Sequence, residues 1–184
     1  ASAFAGALTI ASGDGADVIT TQSGDYSLSV NAGAGADGIT TVGAQLTSAD
    51  TIDGGADTDT ITLSADAATI ADADFTKISN VEKFTTADGA NNLTLGTKAD
   101  GSGLATVTGG DDADTINASA FAGALTIASG DGADVITTQS GDYSLSVNAG
   151  AGADGITTVG AQLTSADTID GGADTDTITL SADA

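Results

Sequence analysis

The chain has 184 residues and a formal net charge of −23, from 26 acidic and 3 basic residues, with 3 % aromatic residues and no Trp, Met, Cys, Pro or His. So few cations leave no basic patch for nucleic-acid phosphates or an anionic membrane surface, and no apolar run is long enough to span a bilayer. Disulfides and thiolate or imidazole metal sites are excluded, and small cations are the natural counterpart of so many carboxylates.

The acids are 25 Asp and a single Glu, Glu82. Asp is short, tolerates turns and holds its charge close to the backbone. High acidity with few aromatics is also a mark of disorder, but here Ile, Leu and Val recur at regular spacing. From the start, "ALTIAS" at 7–12 alternates apolar with polar, the period of a strand. A glycine turn, "SGDGADVIT", follows at 12–20. The pattern returns as "SLSVNA" and "AGAGADGIT" at 27–40, then as "ADTIDG" and "GGADTDTIT" at 49–62. Ile10, Val30 and Ile52 hold one offset before the turn, and Ile19, Ile39 and Ile61 one offset after it.

The next segment is seen once. "ADADFTKIS" at 71–79 predicts a short helix capped by Asp72 or Asp74. "NVEKFTT" at 80–86, "NNLTLG" at 91–96 and "LATVTG" at 104–109 read as strands, and "KADGSG" at 98–103 as a loop. A fourth nonapeptide, "GGDDADTIN", stands at 109–117. All three lysines, Lys77, Lys83 and Lys98, lie in this part.

Residues 118–184 then repeat residues 1–67 without a change, an offset of 117. The organisation is therefore one full period, 1–117, and a partial second one, 118–184, in a continuous solenoid rather than separate globular domains. The chain begins inside a motif, as a window from a longer tandem array would. The nonapeptides start at 12, 32, 54, 109, 129, 149 and 171, and their steps of 20, 22, 55, 20, 20 and 22 residues suit the coils of a β-solenoid. The step of 55 reads as about two coils plus an insertion.

The nonapeptides resemble the repeat-in-toxin (RTX) motif G-G-x-G-x-D-x-U-x of secreted bacterial calcium-binding proteins. Position four departs where Asp57 and Asp112 replace glycine. The stretch "DADFTKISNVEKF…NNLTLG…VTGGDDADTINASAFAGALTI" is also similar to bacterial surface-layer and surface-repeat proteins. The expected architecture is all-β, a right-handed parallel β-solenoid (β-roll or β-helix) with calcium-binding glycine-aspartate turns. The resemblance further implies type I secretion and an extracellular or cell-surface location.

Stacking physics points the same way. Coils about 4.8 Å apart would set position-six aspartates into a column, repelling by roughly 3 kcal/mol per neighbouring pair at an effective dielectric near 20. A divalent cation between coils relieves this. Ca2+ takes 6–8 oxygens in flexible geometry, whereas Mg2+ demands a stricter octahedron and Zn2+ prefers His or Cys. The expected ligands are Asp17, Asp37, Asp59, Asp114, Asp134, Asp154 and Asp176, with turn carbonyls completing the shell. Asp14, Asp57, Asp112, Asp131 and Asp174 are further candidates that solvated turn acids would equally explain. Asp25 and Asp50 are placed in the opposite loops, facing solvent. The bland alternative is that each Asp only caps its own turn. No phosphate loop or EF-hand pattern is present, and carboxylates recurring in every coil mark architecture rather than a glycosidase pair.

The functional expectation is a non-enzymatic extracellular repeat protein, stiffened by Ca2+ and self-associating into a surface layer, filament or adhesin stalk. The alternative is the calcium-folding secretion module of a larger enzyme or toxin. An ice-binding solenoid, suggested by "ITT" at 19–21 and 39–41, is disfavoured because 61–63 reads "ITL".

Overall fold

In the computed structural model, which describes residues 6–21 and 26–182, every strand pair is parallel and the chain winds as a β-solenoid of about eight coils. The first coils alternate a strand before each glycine turn with a strand after it: β1 (Gly6–Asp14) and β2 (Val18–Thr20), β3 (Tyr26–Ala34) and β4 (Gly38–Thr41), β5 (Thr51–Asp53) and β6 (Thr60–Leu63). The single-copy segment adds β7 (Thr69–Ile70), β8 (Ile78–Ser79), β9 (Lys83–Thr85), β10 (Asn92–Thr94), helix α1 (Thr97–Gly101) and β11 (Thr106–Thr108). Then come β12 (Thr115–Asn117), β13 (Leu125–Ala128), β14 (Val135–Thr137), β15 (Leu145–Asn148), β16 (Gly155–Val159), β17 (Thr168–Asp170) and β18 (Thr177–Ser181).

The strands build three sheets. The first runs β1-β3-β5-β8, the second β2-β4-β6-β9-β11-β13-β15-β17, and the third β7-β10-β12-β14-β16-β18. Alternation sends every second side chain inward, so register converts the sequence pattern into apolar ladders. Ile10, Val30, Ile52 and Ile78 stack in the first sheet. In the second, Ile19, Ile39, Ile61, Phe84, Val107, Ile127, Val147 and Ile169 form one column. Ile70, Leu93, Ile116, Ile136, Ile156 and Ile178 form another in the third.

The two identical copies do not occupy equivalent faces. In the first, strands before the glycine turn (β1, β3, β5) lie in the first sheet and strands after it (β2, β4, β6) in the second. In the second copy, strands before the turn (β13, β15, β17) lie in the second sheet and strands after it (β14, β16, β18) in the third. The glycine turn thus moves from one corner of the solenoid to the next. Since the sequences are the same, the cause lies in the single-copy segment. It visits all three faces with β7, β8 and β9, then passes α1 where a first-sheet strand would lie, and re-enters the second sheet at β11.

That segment departs from expectation in two ways. The predicted helix is a 3-10 turn, Asp72–Phe75, whose start is fastened by the Ala71 N–H donating to Asp74 (2.9 Å). The predicted loop at 98–103 is instead largely α1, capped from the preceding coil. The Asp72 carboxylate accepts the N–H groups of Gly96 (2.8 Å), Lys98 (3.1 Å) and Ala99 (2.9 Å), satisfying donors that a helix start leaves free. Phe75 and Phe84, both buried, meet edge-on with 5.4 Å between ring centroids.

Candidate metal centre

Six of the seven glycine turns are set by backbone conformations that side chains resist. Position two is glycine at φ between 91° and 109° at Gly13, Gly33, Gly55, Gly130, Gly150 and Gly172. Position four has positive φ as well, and Asp57 (78°) and Asp174 (79°) occupy it in place of glycine, as Asp can. Stacking is tight: a Cβ on Gly150 would fall 1.9 Å from the Gly130 carbonyl oxygen below it. The turn at 109–117 is different. Neither Gly110 nor Asp112 has positive φ, and Gly110 packs on the backbone of Ala87 and Asp88 rather than on another glycine turn.

The position-six carboxylates point into the corner and stack. Asp17 N–H donates to Asp37 Oδ1 (2.7 Å), Asp37 N–H to Asp59 Oδ1 (2.8 Å), and Asp59 N–H to Glu82 Oε2 (2.9 Å). At the second corner Asn91 N–H donates to Asp114 Oδ1 (2.7 Å), Asp114 N–H to Asp134 (2.7 Å), Asp134 N–H to Asp154 (2.8 Å) and Asp154 N–H to Asp176 (3.1 Å). One oxygen of each bonded carboxylate therefore grips the neighbouring coil. Part of the expected repulsion is met by the backbone itself.

The other oxygen divides the residues. Oδ2 of Asp17, Asp37, Asp59, Asp134 and Asp154 is shut off from solvent and has no hydrogen-bond partner. Such a buried, unpaired polar atom costs free energy unless something binds it. Burial, reinforced by the charges of Asp37, Glu82 and Asp57, holds the Asp59 carboxyl above its ordinary value. Burial, reinforced by Asp154 and Asp114, does the same at Asp134. Asp114 is the exception: its Oδ1 also receives Asn91 Nδ2 (3.1 Å) and its Oδ2 the Gly110 N–H (3.2 Å), so both oxygens are engaged. Asp176 is half-buried in the last coil. Asp14, Asp57, Asp112, Asp131 and Asp174 are exposed on the turn surface, apart from the buried column.

Among the described residues, no three carboxylates converge on one point. A cation here would combine single carboxylates from neighbouring coils with main-chain oxygens. Coil-to-coil bonds in the turns use carbonyls of positions two, three and six, as in Ala56 N–H to Gly33 O (2.9 Å), Gly35 N–H to Ala56 O (3.1 Å) and Thr60 N–H to Asp37 O (2.9 Å). Among the described residues, carbonyls of positions four and five take no part in them. An all-oxygen donor set with unpaired carboxylate oxygens fits Ca2+.

Asp50 does not face solvent. It is 1 % exposed and accepts the N–H of Leu28 (2.7 Å) and of Thr47 (2.8 Å), because the turn from Thr47 folds its carboxylate back onto the preceding coil. Its counterpart Asp167 makes the same bonds to Thr164 and Leu145, which hold its carboxyl below the ordinary value. Asp25 lies outside the described residues. The ladder ends, Glu82 and Asn91, carried no metal expectation. Their signal was spacing, since Glu82 follows Asp59 by one coil and Asn91 precedes Asp114 by one.

A family model described as the RTX calcium-binding nonapeptide repeat (4 copies) matches residues 9–28, 46–70, 101–123, 126–145 and 163–184, together more than half of the chain. The chain belongs to this family. RTX repeats imply calcium binding, and the parallel solenoid is consistent with the RTX β-roll. Comparison with curated proteins returned no significant match, and comparison with solved structures returned none. The match contains three of the four distinct nonapeptides in full and leaves the fourth, at 32–40 and 149–157, outside it in both copies, together with the single-copy residues 71–100. Among the described residues, no helix is long and apolar enough to cross a membrane.

Proposed function

We propose that the chain is an extracellular structural repeat whose β-solenoid is folded and rigidified by Ca2+, a rod from which a cell-surface layer, a filament or an adhesin stalk is built. The observation that carries this reading is the set of five buried carboxylate oxygens without partners, ranked one per coil along two corners of an RTX solenoid. Asp17, Asp37 and Asp59 would hold Ca2+ at the first corner, and Asp134, Asp154 and Asp176 at the second. Asp114, with both oxygens engaged, stands outside the ligand set. The reading assigns no catalytic step, because the carboxylates recur along an axis instead of converging.

Calcium then acts as the folding switch. In low calcium the acid columns oppose stacking, which suits a chain kept loose for export. Outside the cell, binding adds to folding free energy by mass action. The identical 117-residue offset supports the structural role over a secretion module, since length grows by repetition without redesign. The test is far-UV circular dichroism. Excess EGTA is expected to give a coil spectrum and added Ca2+ a β spectrum. A spectrum indifferent to calcium overturns the reading.

A further inference from the structure

The two identical copies meet different neighbours, and the difference identifies what the face of β17 and β18 fits. In the first copy, β5 and β6 are closed over by the single-copy segment. Ile52 and Asp53 pair with Ile78 and Ser79, while Thr60, Ile61 and Thr62 pair with Lys83, Phe84 and Thr85. Ile52 N–H donates to Lys77 O (3.1 Å), Gly54 N–H to Ser79 O (3.0 Å), and Asn80 Nδ2 to Asp53 Oδ1 (2.7 Å). Glu82 ends the carboxylate column on Asp59 N–H. Under this cover Ile61 is 0 % and Leu63 1 % exposed.

Their counterparts Ile178 and Leu180, in identical sequence, are 47 % and 62 % exposed. β17 and β18 are the edge strands of the second and third sheets. Exposed, unpaired parallel edges with apolar side chains are templates for another strand. The strand that fits this edge is already present elsewhere in the molecule.

We infer that the face formed by β17 and β18 is an acceptor for a second copy of residues 66–92, which docks there as it docks on β5 and β6. The docking carries a rotation. β6 lies in the second sheet but its counterpart β18 lies in the third, so the docked counterpart of β9 joins the third sheet, not the second. The spacing explains this. In the second-sheet column Ile127 stands five coils after Ile19, a distance of 108 residues, whereas the sequence repeats every 117. The surplus of nine is the separation of Ile52 from Ile61, the inward residues on either side of a glycine turn. Each period thus advances the acidic corner by one face, and three periods return it to its starting face.

The test uses the whole chain extended at its C-terminus by a second copy of residues 68–117, in saturating Ca2+. Peptides spanning 51–63 and 168–180 have identical sequence and identical intrinsic exchange chemistry. Hydrogen exchange read by mass spectrometry therefore sums a covered and an uncovered site. The unextended chain is expected to give two isotopic populations differing roughly tenfold or more in rate, and the extended chain one slow population. Two populations persisting in the extended chain overturn the docking, as does their collapse with an appended segment of scrambled sequence. The face is read by disulfide formation, since paired Cα atoms about 4.8 Å apart can be bridged. With Cys at the appended counterpart of Lys83, Thr177→Cys is expected to crosslink and Thr168→Cys is not. Crosslinking through position 168 instead overturns the rotation.

Discussion

Asp37→Asn separates calcium binding from ordinary packing. Asp37 borders two coil junctions, with Asp17 and with Asp59, and its Oδ2 is unpaired. Asparagine keeps an oxygen for the Asp17 N–H but removes the charge. Without cation the variant loses repulsion of about 3 kcal/mol toward the equally buried Asp59, at an effective dielectric near 20, and less toward the partly exposed Asp17. With cation it loses two binding junctions, each worth about 2.7 kcal/mol at a hundredfold excess over Kd. The variant is thus expected to be more stable than the parent in EGTA and less stable in saturating Ca2+, with the calcium-linked stability lowered by about 5 kcal/mol. Asp114→Asn is the control. Both its oxygens are engaged by Asn91 and Gly110, so it loses about 1 kcal/mol of hydrogen bonding and relieves repulsion toward Asp134 in both media alike, and is expected to leave the calcium-linked stability unchanged. Urea unfolding followed by circular dichroism measures all four differences. Equal destabilisation of Asp37→Asn in both media, or an equal calcium-linked loss from Asp114→Asn, would refute the ligand assignment.

Two further variants probe the turns and loops. Gly150→Ala places a Cβ 1.9 Å from the Gly130 carbonyl oxygen at φ 98°, while Gly13→Ala at φ 104° meets nothing within 4 Å. The first is expected to cost about 1–3 kcal/mol more than the second, read as a difference in urea midpoint, because only the first collides with a stacked coil. For Asp167→Asn the relevant readout is pH. The native carboxyl is held below its ordinary 3.8 by N–H groups of Thr164 and Leu145. Its stabilisation is therefore complete above that value and disappears as pH falls through the lower folded value. Parent and variant, both in saturating Ca2+, should differ by a constant amount at neutral pH and converge in acid. A difference that persists at the lowest pH assigns the effect to packing instead.

The periodic part of the fold was legible because register and composition carry the same information. Ile10, Val30 and Ile52 shared an offset in sequence and share a rung in space. Position six of the nonapeptide was readable as a column of stacked aspartates for the same reason. What was not legible depended on contacts between coils. α1 has no capping side chain of its own, since Gly96 stands at its N-cap and the acceptor, Asp72, belongs to the preceding coil. Asp50 looked like a solvated loop acid, and only the return of its chain onto Leu28 N–H buries it. The saturation of Asp114 needed Asn91, whose amide reaches across a junction that no local pattern marks. The change of corner was present in the numbers, as a 55-residue step where two 23-residue coils account for all but nine.

The ends of the two columns explain why the period contains a single-copy segment at all. A carboxylate in a stack is repelled by every charge above and below it, so a column of uniform Asp grows more costly with each coil unless cations fill every junction. Glu82 closes the first column with a longer side chain that still reaches the Asp59 N–H. Asn91 begins the second with an uncharged one, whose Oδ1 accepts the Ala68 N–H (2.9 Å) and whose Nδ2 donates to Ala87 O and Gly89 O. Between the last aspartate of the first column, Asp59, and the first of the second, Asp114, the chain places its Phe75–Phe84 contact and all three lysines. The only unpaired buried side-chain atom from residue 60 to 116, among the described residues, is the Thr86 hydroxyl. Thr86 aside, the buried side-chain polar atoms described in this middle section are satisfied without an ion, and the section moves the next acid run to a corner where the previous one does not lie directly beneath it. Breaking the column and turning the corner are one structural act, performed by the same 50 residues between the two identical copies.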